Sequence, residues 1–149
     1  MSAPVVLEQQ VPLSRGERLR ALTAVATARL LLAATRARPA RLRRLLQLLV
    51  REGRPASLPM AVRARAAVVT VSLHAASDHG CLLRSIAILL ACRAAGYTLT
   101  WRVGVVSPPP ASHAWVEADD TPVGEPFDPR LLYSPIITVR PCGKGTLPR

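Results

Sequence analysis

Cys81-Leu82-Leu83-Arg84-Ser85-Ile86-Ala87-Ile88-Leu89-Leu90-Ala91-Cys92-Arg93-Ala94-Ala95-Gly96-Tyr97-Thr98-Leu99-Thr100-Trp101-Arg102-Val103-Gly104-Val105-Val106 changes texture in mid-course. Its first part places Leu82, Leu83, Ile86, Leu89 and Leu90 at helical spacing, which predicts a helix over residues 81–95. Gly96 is the natural stop, since a residue free to go left-handed commonly ends a helix. Residues 97–106 are rich in β-branched and aromatic side chains and read as a strand. Upstream of this junction the chain reads as helical. Downstream come strands over 113–117, 122–127 and 136–139, a stiff connector at residues 107–110, and a turn at Asp119-Asp120. Helices first and an antiparallel meander afterwards predict an α+β fold.

Working back toward the N-terminus, Pro59 opens a helix carrying Val62, Ala66 and Val69 towards His74, and residues 75–80 form a polar break. Pro39 starts a helix with Leu42, Leu45, Leu46, Leu49 and Val50 on one face, ended by Gly53 and Pro55. Ser14 and Glu17 make a capping box for the first helix. Leu19, Leu22, Ala26, Leu30 and Ala33 are its expected core stripe, and the two helices are expected to pair as a hairpin with their Arg residues outward. Residues 1–13 read as an extended arm. The expected division is an arm and Arg-rich helical region over 1–57, a core domain over 58–140 and a flexible tail over 141–149.

The 149 residues suit one domain. Half are hydrophobic and only 3% aromatic, so the core must be aliphatic. No uncharged apolar run reaches the length of a membrane span and no apolar stretch precedes the first basic residue, Arg15. Membrane and secretory readings are disfavoured. Cys81, Cys92 and Cys142 are an odd set without a CxxC pair, which fits free thiols in a cytoplasmic protein rather than disulfides or a zinc site. The net charge of +11 is concentrated: residues 1–65 hold 13 Arg against 3 Glu, a balance of +10. A basic half can bind nucleic acid through phosphates, but a solvated helical face is the simpler reading and nucleic acid is disfavoured as a partner.

Three residues carry the candidate chemistry. Ser77 or Asp78 would cap the helix at 81–95 and place Cys81 in its first turn, where unpaired N–H groups and the helix dipole favour a thiolate. His113 begins a strand, which holds an imidazole rigidly, on one face with Trp115 and Glu117. A turn centred between Asp119 and Asp120 pairs residues whose numbers sum to about 239, setting His113 opposite Pro126. Glu125 and Asp128 are the acids within reach. Asp128 shares the face of His113 if no bulge intervenes, and is the expected orienting carboxylate. An Asp-Pro turn is the simpler role for it. Cys92 and Cys142 have no local source of activation and read as inert.

A Cys at a helix start, then a His on a strand, then an Asp is the papain-like and transglutaminase-like order. Cys81-Leu82-Leu83-Arg84-Ser85 resembles a C-L-x-R-S motif, Arg102-Val103-Gly104-Val105 the strand that follows it, His113-Ala114-Trp115-Val116-Glu117 an H-A-W-V-E motif, and Phe127-Asp128-Pro129 the L-D-P of wider transglutaminase-like domains. Together they resemble the lasso-peptide biosynthesis B protein, a transglutaminase-like leader peptidase. The resemblance implies a Cys81–His113–Asp128 triad with no cofactor and no metal. It also implies cleavage close after a penultimate leader Thr, and delivery of the linear core to an ATP-dependent macrolactam cyclase. Full-length relatives carry a small leader-binding module, for which there is no room before Ser14; the expectation is a split form served by a separate leader-recognition protein. The rival readings are acyl transfer to an amine by the same triad, and an Arg-rich nucleic-acid or scaffold protein.

Overall fold

A computed structural model describes residues 10–36 and 38–142. Residues 1–9 of the arm expected over 1–13, and residues 143–149 of the tail expected over 141–149, lie outside the described residues. The expected α+β class holds: helices α1 (Arg15–Thr35), α2 (Pro39–Val50), α3 (Leu58–Val71), α4 (Leu73–Ala76) and α5 (Cys81–Ala94) precede the strands β3 (Thr100–Val106), β4 (Ala111–Ala118), β5 (Thr121–Pro122) and β6 (Ser134–Val139). A two-residue parallel ladder joins β1 (Arg54–Pro55) to β2 (Tyr97–Thr98).

Ser14 and Glu17 form the capping box as expected, and Pro39 occupies the first turn of α2. The α1 stripe is a correction. The buried face of α1 is Ala21, Ala24, Val25, Ala28 and Thr35, whereas Leu19, Leu22 and Leu30 are exposed. The helix is apolar on two sides, and its small-residue side lets it lie close against α3 and α5. It packs chiefly on those two helices rather than as a hairpin with α2, which leans on β6.

The main sheet runs β5-β4-β3-β6, every pair antiparallel. This corrects the simple meander: after β5 the chain returns across the sheet so that β6 pairs with β3, leaving β3 central. Asp119 and Asp120 both adopt left-handed conformations, φ 49° and 56°, forming the tight hairpin turn whose twist suits antiparallel strands. The same turn braces the helical layer, because Asp119 Oδ2 accepts a bond from Leu58 N at the start of α3.

The core gathers Leu46, Val68, Ile86, Leu89, Trp101, Val116 and Val139 between helices and sheet. α5 is its axis, with Ile86, Ala87 and Leu89 fully buried. Trp101 donates its indole N–H to Ser85 Oγ at 2.9 Å, fixing β3 to the second turn of α5. A separate polar knot stiffens β4. Buried Glu117 accepts from Trp115 Nε1 at 3.0 Å, and Arg102 Nε lies 2.9 Å from the same carboxylate. Removing one partner of a buried pair leaves the other charge uncompensated, so Glu117→Ala should lower the unfolding free energy by about 3 kcal/mol. Urea denaturation measures it, and a loss below about 1 kcal/mol would show that the pair contributes little.

Candidate active site

α5 begins at Cys81 because the chain before it is tightly folded. Ser72 is extended and ends α3; its hydroxyl accepts from Ala75 N, starting the single turn of α4. A 3-10 turn over Asp78–Gly80 then leads directly into α5. Gly80 is required by packing: a Cβ there would collide with the carbonyl of His74. The expected cap is corrected. Gly80 occupies the N-cap position, neither Ser77 nor Asp78 caps α5, and Ser77 Oγ instead donates to His74 O. The first-turn N–H groups around Cys81 thus have no side-chain cap, which leaves them available to a negative charge.

Arg84, one turn into α5, is buried and donates to Ala75 O at 2.8 Å and Ser77 O at 3.1 Å. It ties the polar break to the helix. The motif containing Arg84 was legible, but this clamp was not.

β4 carries His113 to Cys81. Burial alone would raise the Cys81 pKa, but the hydrogen bond to His113, the backbone N–H of Ala114 and the charges of His113 and Arg84 outweigh it and lower the value. His113 is raised to about 9, first by its bond to Cys81 and then by Glu125. Both shifts favour a thiolate–imidazolium pair. Cys92 behaves oppositely, since burial pushes it up to about 11.

The third group corrects the register argument. His113 Nε2 lies 2.9 Å from Glu125 Oε2, both side chains largely buried, which leaves Nδ1 to serve the thiol. Asp128 does not reach the imidazole. It chelates Arg130 at 2.7 and 2.9 Å and caps a short turn by accepting from Arg130 N, the Asp-Pro turn role. The hairpin does follow the expected sum of 239: Glu117 faces Pro122, Ala118 faces Thr121, and Val123 N bonds Val116 O. It stops there because Gly124 turns left-handed at φ 64°, over the side chain of Arg65. The expected strand over 122–127 is therefore cut short, Pro126 never faces His113, and Glu125 swings in from the turn.

Two aromatic rings hold the imidazole. Trp115 stacks with it at 6.0 Å between centroids and 14° between planes, and Tyr133 lies at 5.4 Å. Gly104, opposite His113 in the ladder, makes this possible, because a Cβ there would meet Tyr133 Cβ at 2.8 Å and the Trp115 ring at 3.1 Å. Sequence reasoning missed Tyr133 and Arg65; no local pattern marks either. An open depression of about 210 Å³ beside the dyad is lined by Arg65, Asp78, Phe127 and Tyr133 together with His113 and Glu125.

The transglutaminase-like superfamily model matches residues 24–138, and this span contains Cys81, His113 and Glu125. The chain belongs to the transglutaminase-like superfamily. Its members are typically cysteine peptidases or acyltransferases that share the papain-like plan. No curated protein and no solved structure matches the chain. Among the described residues, no helix is long and apolar enough to cross a membrane. In this transglutaminase-like frame α1 is an integral layer, because the match begins within it and its alanine face covers α5.

The electrostatics give an expected result that needs no substrate. Iodoacetamide should alkylate Cys81 well before Cys92, with a rate that rises through a pKa below the usual thiol value. Peptide mapping by mass spectrometry reads it. The ion pair itself should last up to about pH 9, where His113 gives up its proton; in the peptidase reading proposed below, turnover should fall there, because the imidazolium would be the proton donor. A Cys81 labelling profile centred at 9 or higher would contradict the ion pair.

Proposed function

We propose that this chain is a cysteine peptidase that removes the leader from a ribosomally made lasso-peptide precursor. The observation that carries the reading is the Cys81 thiol at the uncapped start of α5, bonded to a His113 that Glu125 orients. The resemblance of residues 81–85 and 113–117 to the leader-peptidase motifs supports the choice of substrate.

In this mechanism the Cys81 thiolate attacks the scissile carbonyl and its sulfur forms a bond to that carbon. The Cys81 backbone N–H supplies part of the oxyanion hole. His113 then gives its proton to the leaving amine, the N-terminus of the core peptide, as the C–N bond breaks. Water, deprotonated by the now neutral His113, hydrolyses the thioester and releases the leader. Glu125 keeps the Nε2–H of His113 directed away from the thiol and stabilises the imidazolium. No metal or cofactor enters these steps. A separate recognition protein holds the leader and raises its effective concentration at the site, and the core passes to an ATP-dependent cyclase.

The test is mass spectrometry of a synthetic precursor with a penultimate leader Thr. It is incubated with the purified chain in ¹⁸O-water, with and without a separate leader-recognition protein. The expected products are two fragments whose masses together exceed the precursor by one water, with ¹⁸O on the leader carboxylate and a faster rate when the recognition protein is present. Amine-linked products without ¹⁸O would assign acyl transfer instead. An intact precursor under both conditions would refute the peptidase reading.

A further inference from the structure

The apolar stripe of α1 that the fold leaves uncovered lies beside a groove. Leu19 is 68% exposed and Leu30 70%, with Leu22 and Ala26 exposed between them at helical spacing. Next to Leu19 an open groove of about 580 Å³ runs between α1, α2 and α5, walled by Leu19, Thr23, Leu49 and Leu90 and containing Arg20 and Arg93. No carboxylate lines it, and the buried Nε of Arg93 has no hydrogen-bond partner. Between residues 10 and 51 the sequence holds ten Arg and a single acid, Glu17, and that acid is engaged by Arg63 at 2.7 Å. A row of leucines beside a cationic, acid-free groove that Leu19 joins to it has the complement of an amphipathic helix: apolar anchors along one side and carboxylates along the margins.

We infer that the α1–α5 groove is a docking site for an acidic amphipathic helix of a separate protein. The leucines and the charge decide the occupant together. Nucleic acid would use the Arg residues but not the exposed leucines, and no aromatic side chain occurs before Tyr97 to stack a base. A second copy of this chain would bring another Arg-rich α1 against the first, and like charges would oppose it. The groove lies about 13–18 Å along α5 from Cys81, at the 1.5 Å rise of a helix, so an occupant leaves the thiol open. The site stands apart from the peptidase reading and survives if that reading fails.

The probe is a synthetic fluorescein-labelled peptide of about 18 residues, long enough to cover the stripe from Leu19 to Leu30. It carries leucines at i, i+3, i+4 and i+7 and Glu elsewhere; a matched peptide has Lys for Glu. Anisotropy with the full chain should give saturable binding of the Glu peptide, at least tenfold tighter than the Lys peptide and weaker at high salt. Leu19→Ser with Leu30→Ser should weaken binding at least tenfold. Arg20→Glu should shift preference toward the Lys peptide. All three side chains are exposed, and circular dichroism checks that the variants fold. Equal binding of the two peptides, no binding, or binding unchanged by these substitutions overturns the proposal. Concentration-dependent dimerisation abolished by Leu19→Ser overturns it in favour of a second copy. A duplex DNA of about 20 base pairs that displaces the Glu peptide with a steeper salt dependence overturns it in favour of nucleic acid.

Discussion

Cys81→Ala should abolish turnover of a leader-bearing precursor, a loss on the order of 10⁴-fold or more, while circular dichroism and thermal unfolding stay close to wild type. The thiol sits in the first turn of α5 but belongs to no core cluster, so its removal takes away the proposed nucleophile and little packing. His113→Ala should fall to the same floor, because nucleophile and base act as one unit and their losses do not add. The double variant should be no worse than either single one. Cys92→Ala is the contrast: it opens a small gap in the core, costs some stability and leaves cleavage intact. Cleavage by Cys81→Ala above background, followed by mass spectrometry, would remove the nucleophile assignment.

The next largest effect separates the two acids. Glu125→Gln should lower kcat about 10²- to 10⁴-fold, the upper end corresponding to a flipped imidazole tautomer. It should also pull the alkaline limb of the pH profile below 9, because the Glu125 hydrogen bond and charge both raise His113. The sign follows from the charge: without the carboxylate the imidazolium is less stable, gives up its proton at lower pH, and the proton donor is lost earlier. Asp128→Asn should leave the rate within a few-fold. Its carboxylate is spent on Arg130, and the cost appears as a looser turn at residues 128–131. Measuring kcat/KM against pH for both variants decides the matter. A large loss in Asp128→Asn with little change in Glu125→Gln would reverse the assignment.

The register beyond the Asp119-Asp120 turn shows where sequence reasoning reaches its limit. The helix-to-strand junction at Gly96, the capping box at Ser14 and the Asp119-Asp120 hairpin are local. Each is fixed by a few neighbouring residues, and each could be read in advance. Cys81 and His113 were legible for the same reason, one at a helix start and one at a strand start. Extrapolating the hairpin register past Val123 failed because one glycine left the extended region, and only the packing of Arg65 beneath it shows why. The α1 stripe failed differently. Leucine spacing predicts an apolar face, but which face a helix buries depends on how closely its neighbours approach, and here the alanine side fits α3 and α5. Tyr133 against His113 is a contact between segments twenty residues apart, and no sequence period announces it.

The strand order β5-β4-β3-β6 also has a bearing on synthesis. A ribosome delivers Cys81 first, then the imidazole of His113, the carboxylate of Glu125 and the bracing ring of Tyr133. The central strand gains its second neighbour only with residues 134–139. A chain that has emerged only as far as α5 therefore exposes a cysteine with no base beside it, and the imidazole joins it only with β4. The groups that steady the imidazole, Glu125 and Tyr133, thus arrive after the strand that carries it.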